Sequence, residues 1–190
     1  MKKFVDITRP VEMGMGVYSA DEGFSAAWQK KLPGDGYNLS RFSMGAHCGT
    51  HLDAPRHYLE GGLTVDQAPL ELLNGPALVI GVQGDFRPES VPEGTERVLL
   101  KGAFSGLSAD DARALISKGV RLVGTSTLSI GRPESESESH TALLGSGAWI
   151  LENLRLEGVD EGWYELLCLP LPLVGLEASP ARAVLMRKGP

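Results

Sequence analysis

Three of the chain's four histidines lie within eleven residues, at His47, His51 and His57. Asp53 stands among them, and all four residues occupy odd positions. In an extended chain the odd positions share one face, so His47, His51 and Asp53 would point the same way. Two imidazoles and one carboxylate are typical of a catalytic metal site, which keeps a position open for water. This segment therefore predicts metal-dependent chemistry.

The spacing of the first two histidines requires the backbone to bend. Four residues of ideal strand span about 13 Å, which is close to the limit for two imidazoles that share one metal. We therefore predict that a strand over residues 37–48 is followed by a bend at Gly49-Thr50 that brings the rings together. His57 lies beyond Pro55 and off this strand, where it would be placed to move protons.

Further ligands would have to come from distant parts of the chain. His140 is the only remaining histidine, and Glu152 follows the apolar segment Trp149-Ile150-Leu151. A carboxylate at the end of a buried strand is costly unless it is paired or ligated. A single histidine is more often a packed or surface residue than a ligand, so the residues alone leave the role of His140 open. A bridging Asp53 would allow a second ion.

Other reactive or aromatic residues have plainer interpretations. Cys48 lies between two candidate ligands but at an even position, so its side chain should point away from them. An inert core residue is the better interpretation, and a nucleophile is the lesser alternative. The alternating Glu-Ser run over residues 134–139 favours a solvated loop. Tyr18, Phe24 and Trp28 are candidates to line a substrate pocket, although loop aromatics pack as cover at least as often.

Composition limits the classes of function. A chain of 190 residues predicts one domain, residues 1–190. A net charge of −6 argues against a nucleic-acid partner, and no apolar run approaches the ~20 residues of a membrane span. Lys2 and Lys3 are not followed by the long apolar segment of a signal peptide. Cys48 and Cys168 form no CxxC pair, which excludes a thiolate zinc cluster and favours a reduced, cytoplasmic protein.

The elements that must position these residues indicate an α/β fold that is rich in strands and has few helices. Between Arg97 and Gly124, a helix that opens with a capping box at Ser108 and Asp111 separates two strands, which predicts a parallel pair. Residues 13–36 are expected to be loop with one helical turn around 24–31. Further strands are predicted at 4–7, 77–82, 149–151, 164–169 and 183–187, and helical segments at 69–75 and 140–144.

The segment from His47 to His57 reads HxGTHxDxPxH, and it resembles the signature of the metal-dependent cyclase family at all seven fixed positions. The resemblance extends to Val5-Asp6-Ile7-Thr8, to residues 150–154 and to residues 179–183. It implies a compact α/β domain with a β-rich mixed sheet, of the swivelling β/β/α type, that assembles as a homodimer or homotetramer.

The resemblance also implies a role for each candidate residue. Two divalent ions are expected, zinc in the first place and manganese as the alternative, with His57 as the general acid and base. Each ion would take three ligands, with one shared between them: His47, His51 and Asp53 for the first, and Asp53, His140 and Glu152 for the second.

The activity that the resemblance implies is hydrolysis of a carbon–nitrogen amide bond in a small molecule, with N-formylkynurenine as the expected substrate. Isatin, another cyclic amide or a lactone is the alternative substrate, and a non-catalytic metal-binding protein is the alternative of another class. Two departures from the family pattern lie in expected substrate-side loops. The chain reads Tyr18-Ser19-Ala20-Asp21 where the family often has a Pro-Gly-Asp-Pro-like turn, and Ser126 replaces an Asp while Ser129 is kept.

Overall fold

Seven strands close into a barrel in the computed structural model, which describes residues 4–18 and 21–187. The strands of the described residues are β1 (Phe4–Asp6), β2 (Ser25–Lys30), β3 (Leu39–Ser43), β4 (His51–Asp53), β5 (Gly75–Gly81), β6 (Arg97–Lys101), β7 (Leu122–Thr125), β8 (Trp149–Glu152), β9 (Gly162–Pro170) and β10 (Ala178–Met186). The α-helices are α1 (Leu70–Leu73), α2 (Ala109–Ser117) and α3 (Glu136–Gly145), and single 3-10 turns occur at Pro55–His57, Val65–Gln67 and Pro88–Ser90.

The barrel is a mixed sheet. Strands β5, β6, β7 and β8 are parallel neighbours, and β4 runs antiparallel to β8. The long strand β10 closes the ring because its first residues pair with β4 and the rest pair with β9, which in turn pairs with β5. Strand β1 adds to the end of β10. The predicted α/β class with a mixed sheet and few helices is confirmed.

Both faces of the parallel strands are covered. Leu99 and Leu151 belong to a buried cluster inside the barrel, whereas Leu100 and Ile150 belong to a second cluster on its outer face. Residues of α2 and α3, among them Leu115, complete the outer cluster. Because successive strand residues point to opposite faces, a strand buried on both sides reads as a continuous apolar run. The strands predicted from such runs are confirmed.

The predicted β-α-β unit is present. Ser108 Oγ accepts a hydrogen bond from the backbone N–H of Asp111, and the Asp111 carboxylate accepts one from the backbone N–H of Ser108. Helix α2 starts directly after this capping box, and β6 and β7 are parallel with Val98 opposite Val123. The helix lies on the outer face of the barrel, next to α3.

The prediction for residues 13–36 is wrong in part. Instead of a helical turn around 24–31, residues 25–43 form a hairpin arm in which β2 and β3 make a separate two-stranded antiparallel sheet. Every residue of these two strands is exposed, so burial imposes no alternation on the sequence. The strand predicted over 37–48 is correspondingly shorter and ends at Ser43.

The Glu-Ser run is also different from its prediction as a solvated loop. Helix α3 begins at Glu136, and Ser139 is fully buried. Acidic residues in the first helical turn are favourable because they face the positive end of the helix dipole. Ser19 and Ala20 lie outside the described residues. Within the described ranges, no helix has the length and hydrophobicity needed to cross a membrane.

Candidate metal centre

A bend before β4 sets the geometry of the histidine-rich segment. Residues 46–50 turn the chain, and Gly49 has a φ of 76°, a conformation that favours glycine. A Cβ at Gly49 would lie 3.2 Å from Val11 Cγ2, so the loop is also close-packed there. The predicted bend at Gly49-Thr50 is confirmed, and it places His47 in the turn rather than on a strand.

Strand register brings in the first distant residue. His51 and Asp53 lie two positions apart on β4 and share one face, while Leu52 between them belongs to the barrel interior. Glu152 of β8 stands directly opposite His51 in the antiparallel ladder, so its side chain shares that outer face. His51 Nε2 lies 3.3 Å from Glu152 Oε2.

Helix α3 covers this face and supplies the fourth histidine. His140 Nε2 lies 3.3 Å from Glu152 Oε1 and 4.0 Å from Asp53 Oδ2. From the other side, His47 Nδ1 lies 3.0 Å from Asp53 Oδ1. The structure therefore brings together all five predicted ligands, in two groups that share Asp53 and in which the potential ligand atoms lie within 4.8 Å of one another.

The outward nitrogen of each of the three candidate ligand imidazoles has a partner. His51 Nδ1 lies 2.9 Å from the Gly49 carbonyl oxygen, and His140 Nδ1 lies 2.8 Å from that of Glu136. A ring that donates from Nδ1 to a carbonyl has its Nε2 free as a lone-pair donor, directed into the centre. His47 has the opposite orientation, with Nε2 3.5 Å from Glu177 Oε1.

Unpartnered atoms show that the residues fit a divalent ion. His51 Nε2 and both carboxylate oxygens of Asp53 are buried and have no hydrogen-bond partner. His47 Nδ1 lies 3.0 Å from Asp53 Oδ1, but the pair does not form a hydrogen bond. A buried carboxylate without partners is costly, and a cation would remove that cost. Imidazole and carboxylate together are donors that zinc and manganese accept.

The pKa directions agree with a site for positive charge. Burial lowers the pKa of His140, but the hydrogen bond and charge of Glu152 outweigh it and raise the pKa to about 9. Burial also lowers the pKa of His51, but the nearby carboxylates of Asp53 and Glu152 outweigh it and raise the pKa well above its ordinary value. Burial acts to raise the pKa of Asp53, but His51 and His47 lower it. The buried carboxylates therefore favour positive charge at this site, and a divalent ion would supply it in competition with protons on the histidines.

His57 lies beside both groups without belonging to either. It ends the 3-10 turn Pro55–His57, and its ring centroid is 4.3 Å from that of His47 and 6.0 Å from that of His140. Burial lowers the pKa of His57, against the opposing effect of Asp53, so the neutral imidazole is favoured. Tyr58, which sequence reasoning missed, stacks on His140 at 4.8 Å.

A pocket of about 190 Å³ opens over the centre. Its walls consist of site residues together with Tyr18, Asp21, Leu128, Ser129 and Glu136. Of the three aromatic residues predicted to line a pocket, only Tyr18 does so. Phe24 packs against Phe42 of the hairpin arm, and Trp28 is exposed on β2.

Helical spacing would have revealed one residue that the sequence reasoning missed. Glu136 precedes His140 by four residues, so both lie on one helical face. Its carboxylate accepts hydrogen bonds from the hydroxyl groups of Tyr18 and Ser129. The solvated loop that the sequence predicts over residues 134–139 would not place these two residues on one face.

Two other predictions concern residues near the centre. Cys48 is buried and faces away as predicted, with its Sγ 3.6 Å from Met15 Sδ. Ser126, expected in a substrate-side loop, lines a different groove, and its Oγ lies 3.2 Å from the Gly102 nitrogen. That departure from the family pattern is therefore outside the pocket.

Residues 5–100 match the model of the family described as "Putative cyclase". The kynurenine formamidase of Bordetella avium is 37% identical over the full length of both chains. The chain belongs to this cyclase family. The resemblance drawn from residues 47–57 is thus confirmed.

Solved structures of the cyclase fold agree with this assignment. A "predicted metal-dependent hydrolase" from Bacillus stearothermophilus is 32% identical, with a TM-score of 0.84 over 99% of this chain and 100% of that one. Isatin hydrolase A from Labrenzia aggregata has the same TM-score of 0.84 over 99% and 94% of the two chains, at 21% identity. At that identity the likeness shows the fold alone.

Proposed function

We propose that the chain is a metal-dependent amidohydrolase that converts N-formylkynurenine to kynurenine and formate. The observation that carries metal dependence is the fully buried Asp53, whose two unpartnered oxygens lie between two groups of donors. The choice of substrate is supported by the relative named kynurenine formamidase, which is 37% identical over the whole chain. Isatin hydrolases share the fold at lower identity, and no contact in the pocket favours a cyclic amide.

In this proposal the two groups hold one divalent ion each. His47, His51 and Asp53 would hold the first, and Asp53, His140 and Glu152 the second. Zinc is the expected metal and manganese the alternative, because both accept imidazole and carboxylate ligands. When bound, such ions lower the pKa of a water molecule towards neutrality and polarise the amide carbonyl.

His57 moves the protons of the reaction. Its lowered pKa provides a neutral imidazole that can accept a proton from water and then deliver it to the departing aryl amine. The neighbouring rings of His47 and Tyr58 hold its position.

The test is turnover of N-formylkynurenine by purified, metal-loaded protein, followed through the absorbance of kynurenine. A kcat/KM of about 10⁴ M⁻¹s⁻¹ or more, in the ordinary range of enzymes, is the expected result. Isatin serves as the parallel substrate. Rapid hydrolysis of isatin with negligible turnover of the formamide would contradict the proposal.

We further propose that residues 1–190 act as one domain in a cytoplasmic homodimer or homotetramer. The hairpin arm supports the oligomer: it exposes Trp28, Tyr37 and Phe42, and a two-stranded sheet with both faces open is marginal alone. Light scattering should give a mass of two or four chains, and replacement of Trp28 and Phe42 by Ser should lower it. A wild-type protein of single-chain mass would contradict the oligomer.

A further inference from the structure

The substrate pocket has negative charge that the metal ligands do not account for. Asp21 and Glu136 line the pocket but belong to neither group of donors. No lysine or arginine lines it, and within residues 4–18 and 21–187 none forms an ion pair with either carboxylate. Of these two carboxylates, Glu136 is the one that side-chain hydrogen bonds hold in a fixed position, and it is therefore the candidate to bind a ligand.

Glu136 is held in place by neutral groups. Tyr18 and Ser129 each donate a hydroxyl hydrogen bond to one of its carboxylate oxygens. Its backbone carbonyl accepts from His140 Nδ1 at 2.8 Å, which ties the start of α3 to the metal centre. Neutral donors fix the carboxylate without cancelling its charge, and each oxygen keeps capacity to accept another hydrogen bond.

The size of the pocket places Glu136 beside the outer part of a substrate. A volume of about 190 Å³ is below the ~300–1,000 Å³ of usual ligand pockets, so the pocket encloses only part of a molecule. Tyr18 and Leu128 are 40% and 42% exposed and form its rim. Buried, unpartnered His51 Nε2 and Asp53 mark the inner end, where the amide would react.

We propose that Glu136, fixed by Tyr18 and Ser129, binds an ammonium group of the substrate and thereby determines specificity. The inference rests on the proposed function and deepens it. N-formylkynurenine has an ammonium group on the side chain that extends from its aryl ring, whereas neutral cyclic amides have none. Glu136 would therefore select aryl formamides that carry a cationic group.

Three substrates of the wild-type enzyme test this charge preference. N-formylkynurenine has an ammonium and a carboxylate group; its decarboxylated analogue keeps only the ammonium, and its deaminated analogue only the carboxylate. Since hydrogen bonds between charged groups are stronger than neutral ones, both ammonium-bearing substrates should exceed the third by roughly 10- to 100-fold in kcat/KM. Equal rates for all three would overturn the inference but leave the proposed function intact. Turnover of none would overturn both.

A matched pair of variants locates the preference. Glu136→Gln keeps the size of the side chain, and its amide can still pair with Tyr18 and Ser129. The kcat/KM of this variant should fall roughly 10- to 100-fold on the two ammonium-bearing substrates and change little on the deaminated one. Glu138→Gln removes the same charge from an exposed position two residues away and should change none of the rates.

Binding supplies a readout that does not depend on turnover. Calorimetry with the decarboxylated product, kynuramine, should show weaker binding to Glu136→Gln than to the wild type or Glu138→Gln. A uniform loss of kcat on all three substrates, with kynuramine affinity unchanged, would mean that Glu136 only positions His140. That outcome would overturn the proposed recognition.

Discussion

The two groups of donors differ in how the chain builds them. The local set (His47, His51 and Asp53) comes from one short segment, in which a glycine bend and the alternation of β4 bring the side chains together. The assembled set (Asp53, His140 and Glu152) requires the register of β4 against β8 and the packing of α3 on the barrel. The local set depends on local backbone geometry, whereas the assembled set depends on the integrity of the tertiary structure.

Burial follows the same division. The side chains of the assembled set are at most 5% exposed, whereas His47 in the local set is 15% exposed. An ion in the assembled set would connect a helix to the sheet, and an ion in the local set would connect a turn to the neighbouring strand. We therefore expect an ion in the assembled set to contribute more to the free energy of unfolding than an ion in the local set.

Asp53→Asn should have the largest effect because Asp53 is common to both sets. The Asn side chain has only one oxygen that can bind a metal and carries no negative charge. We therefore expect neither set to retain an ion, and activity should fall below detection. Metal content by mass spectrometry and kcat/KM on N-formylkynurenine check this. A variant that keeps one full equivalent of metal would show that the sets do not share this residue.

His57→Ala should separate chemistry from metal binding. His57 belongs to neither set, so the metal content should be unchanged while kcat falls by about 10²- to 10⁴-fold, the usual contribution of a general acid or base. Rapid-quench or steady-state kinetics with parallel metal analysis provide the measurement. Activity near the wild-type level would remove His57 from the mechanism.

Chelation should reveal the stabilising role of the assembled set. An ion present at 100 times its Kd contributes about 2.7 kcal/mol, which corresponds to roughly 5–10 °C in Tm for a chain of this length. His140→Ala should abolish most of this metal-dependent shift, and His47→Ala less. Calorimetry of each variant with and without metal cancels the cost of the cavity itself. Equal loss in the two variants would refute the proposed difference between the sets.

Glu177→Gln should have the smallest effect and should be confined to the local set. Glu177 Oε1 lies 3.5 Å from His47 Nε2, and its side chain is 38% exposed. Loss of such an orienting carboxylate typically costs 10- to 100-fold in metal affinity, and this exposure favours about 10-fold. Titration calorimetry should show one weakened class of site and one unchanged class. Weakening of both classes would mean that the two sets are strongly coupled.

The hairpin arm shows where sequence patterns fail. Strands of the barrel were predicted because burial on both faces produces apolar runs such as residues 77–82. The arm has no covered face, so residues 25–30 carry no such signal and were interpreted as loop with a helical turn. The start of α3 was missed for a related reason, since the Glu-Ser run lacks an apolar stripe, yet Ser139 is buried there.

The sequence by itself determined the local set, because strand parity and a bend at Gly49 act over a few residues and leave their mark in the spacing of His47, His51 and Asp53. It also indicated a catalytic rather than a structural site through the donor types. The residues alone left His140 open, and only the family resemblance assigned it. Tertiary structure decided that His140, Glu152 and Glu136 meet at one pocket, since strand register and helix docking depend on the packing of the whole barrel rather than on any short segment.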